Sequence, residues 1–117
     1  MTQLPSFDQE RLNYLTELFG DSESVRELFL EFLEACPAWV STMKQGINEQ
    51  RPDLVEFAAH AIRGTSANIS VTNIEKTSAA LESIVQRQQL DLAGAYISEL
   101  EEQIDGLREH IERRAAI

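Results

Sequence analysis

The chain has few of the residues that build covalent or metal-linked scaffolds. Its 117 residues include one cysteine, Cys36, and two histidines. A single cysteine excludes an intrachain disulfide and a zinc site built from cysteines, and it fits a reducing compartment. The N-terminus has no basic segment followed by an apolar run, so no signal peptide is expected. No stretch approaches about 18 consecutive apolar residues, the length of a membrane-spanning helix. These absences predict a soluble, cytoplasmic protein.

Basic residues are also scarce, because ten Lys and Arg stand against twenty Asp and Glu, for a formal net charge of −10. Nucleic acids and anionic membranes both bind clustered Lys and Arg, so we expect neither as a partner. The hydrophobic content of 43% is enough for one core in a chain of this length. We therefore expect residues 1–117 to form a single domain, and nothing in the sequence requires more than a monomer.

Only five glycines and three prolines interrupt the chain, and apolar residues recur at helical spacing almost everywhere. Ser6 and Gln9 have the spacing of a capping box for a short first helix that ends at Gly20. A long second helix starts at Asp21 or Ser22, and we expect Pro37 to kink it rather than split it. Its inward series runs at steps of three and four: Val25, Phe29, Phe32, Cys36, Val40, Met43 and Ile47.

Three further helices follow. Asp53 and Glu56 form a capping pattern for the third helix, and Asp91 can cap the fifth. The fourth helix spans about Val71 to Gln88, and its inward positions are Ile74, Thr77 or Ser78, Leu81 and Ile84 or Val85. The last helix carries a bundle-type seam: Ile97, Leu100, Ile104, Leu107 and Ile111. Short connections favour an up-down arrangement. The sequence thus predicts an all-α fold, an antiparallel four-helix bundle with a short extra N-terminal helix.

The third helix places His60 outside its core-facing arc. At 100° per residue, one arc collects the expected core positions: Leu54, Phe57, Ala58, Ala61, Thr65, Asn68 and Ile69. His60 lies roughly 130° from the centre of that arc by the same geometry. We therefore expect an exposed imidazole rather than a core histidine.

The neighbours of His60 on the helix surface suggest a chemical role. Arg63 and Gly64 lie one turn further along, and Glu56 lies one turn before. Glycine inside a helix costs about 0.5–1 kcal/mol relative to alanine, so a compensating reason is worth seeking. The missing side chain lets another molecule approach the imidazole, and the guanidinium can pair with an anion attached to it. This arrangement is typical of an exposed nucleophile, although most exposed histidines on helices are simply surface residues.

The stretch "HAIRGTSANIS", residues 60–70, resembles the signature of histidine-containing phosphotransfer (HPt) domains. That signature reads His-x-Leu-Lys-Gly-x-Ser-Ala-Asn-hydrophobic-Gly. The resemblance extends to "FDQERLNYLTELFGDSESVRELFLEFLE" before it and "LESIVQRQQLDLAGAYISELEEQI" after it, which is nearly the whole chain. It implies a four-helix bundle whose motif histidine, here His60, carries a phosphoryl group between receiver-domain aspartates. The expected partners are the receiver domains of a hybrid sensor histidine kinase and a response regulator.

The same resemblance implies roles around His60. Arg63 stands for the lysine beside the phosphohistidine, and Gly64 leaves room for the docking receiver. We expect Ala59 and Ala67 to share in that clearance. Supporting roles fall to Ser66 and Asn68, the latter of which is expected to bond within the bundle. Glu56 lies outside the motif, and from its place on the helix we expect it to support the site by hydrogen-bonding the imidazole or to be solvated. Serine at position 70, where the family has glycine, is expected to cap the next helix.

No phosphate-binding glycine loop is present, so the resemblance implies a phosphocarrier without ATP binding or autokinase activity, whose Mg²⁺ is supplied by the receiver. A resident metal is not expected. Glu56 and His60 could contribute two ligands, but a zinc site needs three and His110 is placed elsewhere. Two alternatives stay open: a non-catalytic receiver-docking adaptor of the same fold, and a structural bundle with an accidental motif.

Overall fold

The computed structural model describes residues 2–115, and its regular elements are all helical. Their bounds are α1 Gln9–Phe19, α2 Ser22–Asn48, α3 Pro52–Asn68, α4 Thr72–Gln86 and α5 Ala93–Ala115, with a 3-10 turn at Leu90–Leu92. In the described part of the chain, α2 packs on α3, α3 on α4, α4 on α5 and α5 on α2, while α1 packs on α2. The expected four-helix bundle with an extra N-terminal helix is confirmed. No helix within these residues is both long and apolar enough to cross a membrane.

The first two helix boundaries follow local capping chemistry. The side chain of Asp8, not Ser6, caps α1 by accepting from the backbone N–H of Arg11, so the predicted capping box was wrong. Gly20 ends α1 with a φ of 83°, and Asp21 caps α2 through the N–H of Ser24, as the sequence predicts.

Proline has two different roles in this fold. Helix α2 continues unbroken through Pro37, as its uninterrupted apolar periodicity predicts. Helix α3 starts at Pro52, because the missing N–H of proline costs nothing at a first helical position. Asp53 therefore lies inside the first turn, where it pairs with Arg51 at 2.8 Å, and does not cap the helix. Asp91 likewise lies within the 3-10 turn rather than at a cap position of α5.

The core lies between α2, α3, α4 and α5. The predicted inward positions of α4 and the entire predicted seam of α5 are buried. Helix α3 differs, because its buried face is Val55, Ala58, Ala59, Ile62, Ser66 and Ile69. That face is rotated by about a quarter turn from the predicted arc. Phe57, which was expected in the core, is 67% exposed.

Ser70 does not cap α4 as expected. It has a φ of 68°, and the N–H groups of Ser70 and Val71 bond back to the carbonyls of Ala67 and Ser66. These bonds close the C-terminus of α3 around a left-handed residue, a position that favours glycine. The Ser70 hydroxyl is buried and has no partner among the described residues. The family glycine at this position therefore has a conformational reason that the sequence pattern did not show.

The segment before α1 forms backbone hydrogen bonds with two other parts of the bundle, α5 and the turn after α3. Gln3 donates its N–H to the carbonyl of Glu102 on α5, while Asp8 donates to the carbonyl of Ser70. The backbone of Gln3 lies directly against Gly106, where a Cβ atom would overlap it. Glycine at position 106 is required by this close approach.

Candidate functional site

His60 lies in the middle of α3 with its side chain 74% exposed. The prediction that it is not a core histidine is confirmed. The result holds although the core face of α3 is rotated, because His60 lies on the solvent side of both the predicted and the observed core-facing arc. The helix backbone fixes its position, while the imidazole extends to a surface that a second protein can reach.

A carboxylate from the neighbouring helix holds the imidazole. Glu82 on α4 places Oε2 at 3.2 Å from Nδ1 of His60, while its side chain is only 7% exposed. A carboxylate can only accept a hydrogen bond, so Nδ1 is the donor and carries the proton. The other ring nitrogen, Nε2, then has a free lone pair. The pair therefore orients the ring and selects its tautomer.

Arg63 joins the same carboxylate from the α3 side. Its Nη1 donates to Oε1 of Glu82 at 3.2 Å, and its side chain is half exposed. The buried carboxylate is thus shared between the imidazole and a guanidinium, which compensates its charge. Arg63 lies beside His60 as predicted, and it offers an exposed positive charge next to the reactive ring.

Glu82 was missed by sequence reasoning, although one signal pointed to it. On α4 it lies four residues after the buried Ser78 and beside the buried Leu81, so it falls on the inward stripe of the helix. A charged residue on an apolar stripe needs a partner. The partner lies on another helix, and the helical pattern alone does not show which one.

Gly64 has open space where a side chain would be. A Cβ atom built there would meet nothing within 4 Å, so no contact within the described chain requires glycine. Gly64 is exposed one turn after His60, on the same side of α3. The geometry is therefore compatible with clearance for a partner, the role the sequence suggested.

Of the small residues predicted around His60, some lie towards solvent and others lie in the core. Ala67 is half-buried, but Ala59 is fully buried and cannot contribute to clearance, because it lies on the core face of α3. Ser66 is also buried, and its hydroxyl donates to the carbonyl of Arg63 at 3.1 Å. Ser66 therefore supports the backbone of the site from the core side.

Two polar residues have different contacts from those expected. Glu56 accepts from Nε2 of Gln86 at 3.4 Å, while the imidazole bonds to Glu82 instead. Asn68 is exposed and makes no side-chain hydrogen bond within residues 2–115, so the expected bond inside the bundle was wrong.

Exposed apolar surface adjoins His60. Phe57 lies one turn before it on the solvent side of α3. In addition, an apolar groove of about 380 Å³ opens between α1, α2 and the C-terminal part of α3. Its walls are Leu15, Leu18, Phe19, Leu28, Glu31, Phe32, Ala35, Trp39, Thr65, Asn68 and Ile69. Apolar surface of this kind is typical of a site that contacts another protein.

The two other reactive side chains lie outside this site. His110 packs against Phe7 with ring centroids 5.5 Å apart, and partial burial, with smaller contributions from Arg114 and Arg113, lowers its pKa. Burial raises the pKa of the Cys36 thiol to about 12, so it stays protonated at neutral pH. Within residues 2–115, no three His, Cys, Asp or Glu side chains form a group that could hold a metal.

Comparison with known proteins agrees with this geometry. A family model described as "Hpt domain" matches residues 27–110, which include His60, Arg63, Gly64 and Glu82. Among solved structures, histidine-containing phosphotransfer protein B (HptB) from Pseudomonas aeruginosa PAO1 has the same fold, with a TM-score of 0.84 over 96% of each chain. Its sequence identity to this chain is 19%. No curated protein matches the chain.

Proposed function

Because the chain belongs to the Hpt domain family, we propose that His60 is the residue that carries its phosphoryl group. Membership of that family gives the chain a role in histidine phosphotransfer within a two-component phosphorelay. In the proposal, His60 accepts a phosphoryl group from a receiver aspartate of a hybrid sensor histidine kinase. A response-regulator aspartate then takes the group from His60. The observation that carries the proposal is an exposed imidazole whose Nδ1 is held by a buried carboxylate.

The reacting groups in the transfer step are Nε2 of His60 and the phosphoaspartate of the receiver. The Nε2 lone pair attacks phosphorus in line, a P–N bond forms, and the P–O bond to aspartate breaks. The aspartate carboxylate leaves with the electron pair. Phosphoryl transfer depends mainly on positioning and on charge stabilisation. The hydrogen bond between Nδ1 and Glu82 supplies the positioning, because it fixes both the ring orientation and the tautomer.

Arg63 is proposed to stabilise the transferred group. Its guanidinium lies on the His60 side of α3 and is half exposed, so it can reach an anion on the imidazole. Phosphoryl oxygens would compete with Glu82 for this donor. Arginine in place of the family's lysine keeps the charge and adds a planar fork of donors.

Receiver docking is proposed to use Gly64, Phe57 and the apolar groove. Gly64 leaves space for the receiver backbone beside His60, and Phe57 offers apolar area for a transient contact. The acidic pocket of the receiver would bring the Mg²⁺ that the reaction uses. The chain itself would act as a phosphocarrier, without binding ATP or phosphorylating itself.

The experiment that tests the proposal uses a receiver domain phosphorylated with a radiolabelled donor. The receiver is mixed with the wild type, with His60→Gln and with His110→Gln, which is the matched control at the other histidine. Acid-labile, alkali-stable label is expected on the wild type and on His110→Gln, and none on His60→Gln. Label on His60→Gln would contradict the proposal. Receiver binding without label on any variant would instead favour the docking adaptor.

A further inference from the structure

Most of the negative charge of the chain lies on α1 and the first half of α2. Residues 8–34 contain eight carboxylates and two arginines, and they account for six units of the formal net charge of −10. The same two helices form two of the three walls of the apolar groove. A partner that approaches the groove therefore meets a negative potential, which attracts a basic surface and repels an acidic one.

Three carboxylates form a row on the outer side of α2. Glu27, Glu31 and Glu34 are exposed and lie four and three residues apart, so they are neighbours on the helix surface. Within residues 2–115, none of the three forms an ion pair. Arg26 lies five residues before Glu31, which is roughly 140° around the helix. Like charges at these spacings destabilise a helix, and no cation of the described chain offsets that cost.

Glu31 is the member of this row that lines the groove. Of the groove residues it alone is charged, while α3 contributes the neutral polar side chains of Thr65 and Asn68. Glu31 on the α2 wall and Asn68 on the α3 wall are both exposed. A side chain that fills the groove thus lies between apolar walls, with a carboxylate on one lip and an amide on the other.

We propose that Glu31 makes the docking surface selective for a receiver that carries Lys or Arg next to the apolar side chain it inserts into the groove. The inference rests on the proposed function and deepens it, since it names the chemistry of the receiver surface. The ammonium or guanidinium forms a charge-assisted hydrogen bond with Glu31. It also offsets the repulsion that Glu31 has from Glu27 and Glu34.

The groove lies within reach of a receiver that is docked on His60. Asn68 is eight residues after His60, which is about 12 Å along α3. An interface of standard size buries about 800 Å² on each partner, so one receiver can cover both the imidazole and the groove. Charges at the rim of an interface act mainly on the rate of association and on the choice of partner. Glu31 therefore selects the receiver without touching the transferred group.

The test compares two receivers that differ only in charge. One receiver domain has Lys or Arg on the surface around its acidic pocket, and in the second version these residues are changed to Glu. Both are phosphorylated with the same radiolabelled donor, and the initial rate of label transfer is measured for the wild type, Glu31→Gln, Glu31→Lys and Glu99→Lys. Glu99→Lys is the matched control, because Glu99 is exposed on α5, which packs on α2 and α4 across the bundle from α3.

At low salt, the wild type is expected to take label faster from the basic receiver. Glu31→Gln should lower that rate about two- to fivefold, the range typical of an exposed ion pair. Glu31→Lys should lower it about five- to tenfold and should prefer the acidic version instead. These differences are expected to vanish near 1 M salt, where the Debye length is about 3 Å. Glu99→Lys is expected to match the wild type.

Equal rates from the two receivers at low salt, or an equal fall in Glu99→Lys, would overturn the inference. In that case label still reaches His60, so the phosphocarrier proposal stands. That proposal fails only if the wild type takes no label from either receiver.

A measurement on the protein alone tests whether Glu31 is free for a partner. Glu31→Gln removes two like-charge contacts, so its Tm is expected to rise at low salt and to equal that of the wild type at high salt. A lower Tm would show that Glu31 stabilises the chain itself, and it would overturn the inference.

Discussion

Replacing Gly64 with alanine would separate the stability of α3 from the accessibility of His60. Glycine inside a helix costs about 0.5–1 kcal/mol relative to alanine, and a Cβ at this position meets nothing within 4 Å. Gly64→Ala is therefore expected to stabilise the isolated protein by that amount. For a domain of this size, the gain corresponds to a rise in Tm of roughly 2–6 °C.

The same methyl group is expected to slow transfer. If the receiver backbone occupies the space above Gly64, an added methylene-sized group at a well-packed contact costs about 1–3 kcal/mol. At about 1.4 kcal/mol per factor of ten, transfer would fall by at least about fivefold. The substitution would thus be stabilising and yet harmful to function.

Thermal unfolding followed by circular dichroism measures the first effect, and the initial rate of label transfer from a phosphorylated receiver measures the second. Gly94→Ala is the matched control. Gly94 is also a helical glycine with no atom within 4 Å of a built Cβ, but it lies at the start of α5. Its substitution is expected to leave transfer unchanged. Transfer by Gly64→Ala at the wild-type rate would refute the reasoning about docking, and a lower Tm would refute the reasoning about the helix.

Three further predictions concern stability. Ser70→Gly relieves a left-handed backbone and removes a buried hydroxyl that has no partner in the described chain. The urea midpoint should therefore rise by the equivalent of about 1–2 kcal/mol at constant m. An unchanged midpoint would show that neither the left-handed backbone nor the hydroxyl destabilises the fold. Gly106→Ala places a Cβ against the backbone of Gln3, so the free energy of unfolding is expected to fall by about 1–3 kcal/mol. In a chain that starts after the Gln3 segment, the same substitution should cause no further loss of stability. Folding lowers the pKa of His110 below its ordinary value of 6.5 and so favours the neutral ring. Its contribution to stability is therefore complete above pH 6.5 and is lost as pH falls through the folded pKa. His110→Gln should remove the share of the fall in Tm between pH 7 and pH 5 that is due to His110. An unchanged dependence of Tm on pH would contradict this role of His110.

Local chemistry made much of the fold predictable. The apolar periodicity of α2 continues across Pro37, so one long helix could be expected, and Gly20 and Asp21 have end signals that depend only on neighbouring residues. The helix caps that were predicted wrongly lie where several neighbouring residues could each begin the helix. Asp8 displaced Ser6 as the cap of α1, while Ser6 bonds to Thr72 across the bundle.

The face of α3 was harder to predict than its existence. Apolar residues occur nearly all around this helix, so several arcs satisfy the same pattern. Val55 and Ile62 were placed in the core by packing against α2 and α4, and Phe57 was left outside. His60 could nevertheless be expected at the surface, because both arcs leave its side of the helix free.

The sequence by itself therefore determined the helical class and the helix order, and it singled out His60 as the candidate site, since each depends on spacing along one chain and on a motif of eleven residues. Only the tertiary structure decided which carboxylate holds the imidazole. Glu82 is 22 residues from His60, and the contact exists because α3 and α4 pack side by side in one relative rotation. Helical periodicity specifies which residues share a face of one helix, whereas the rotation of two helices about each other depends on the complete packing of the core.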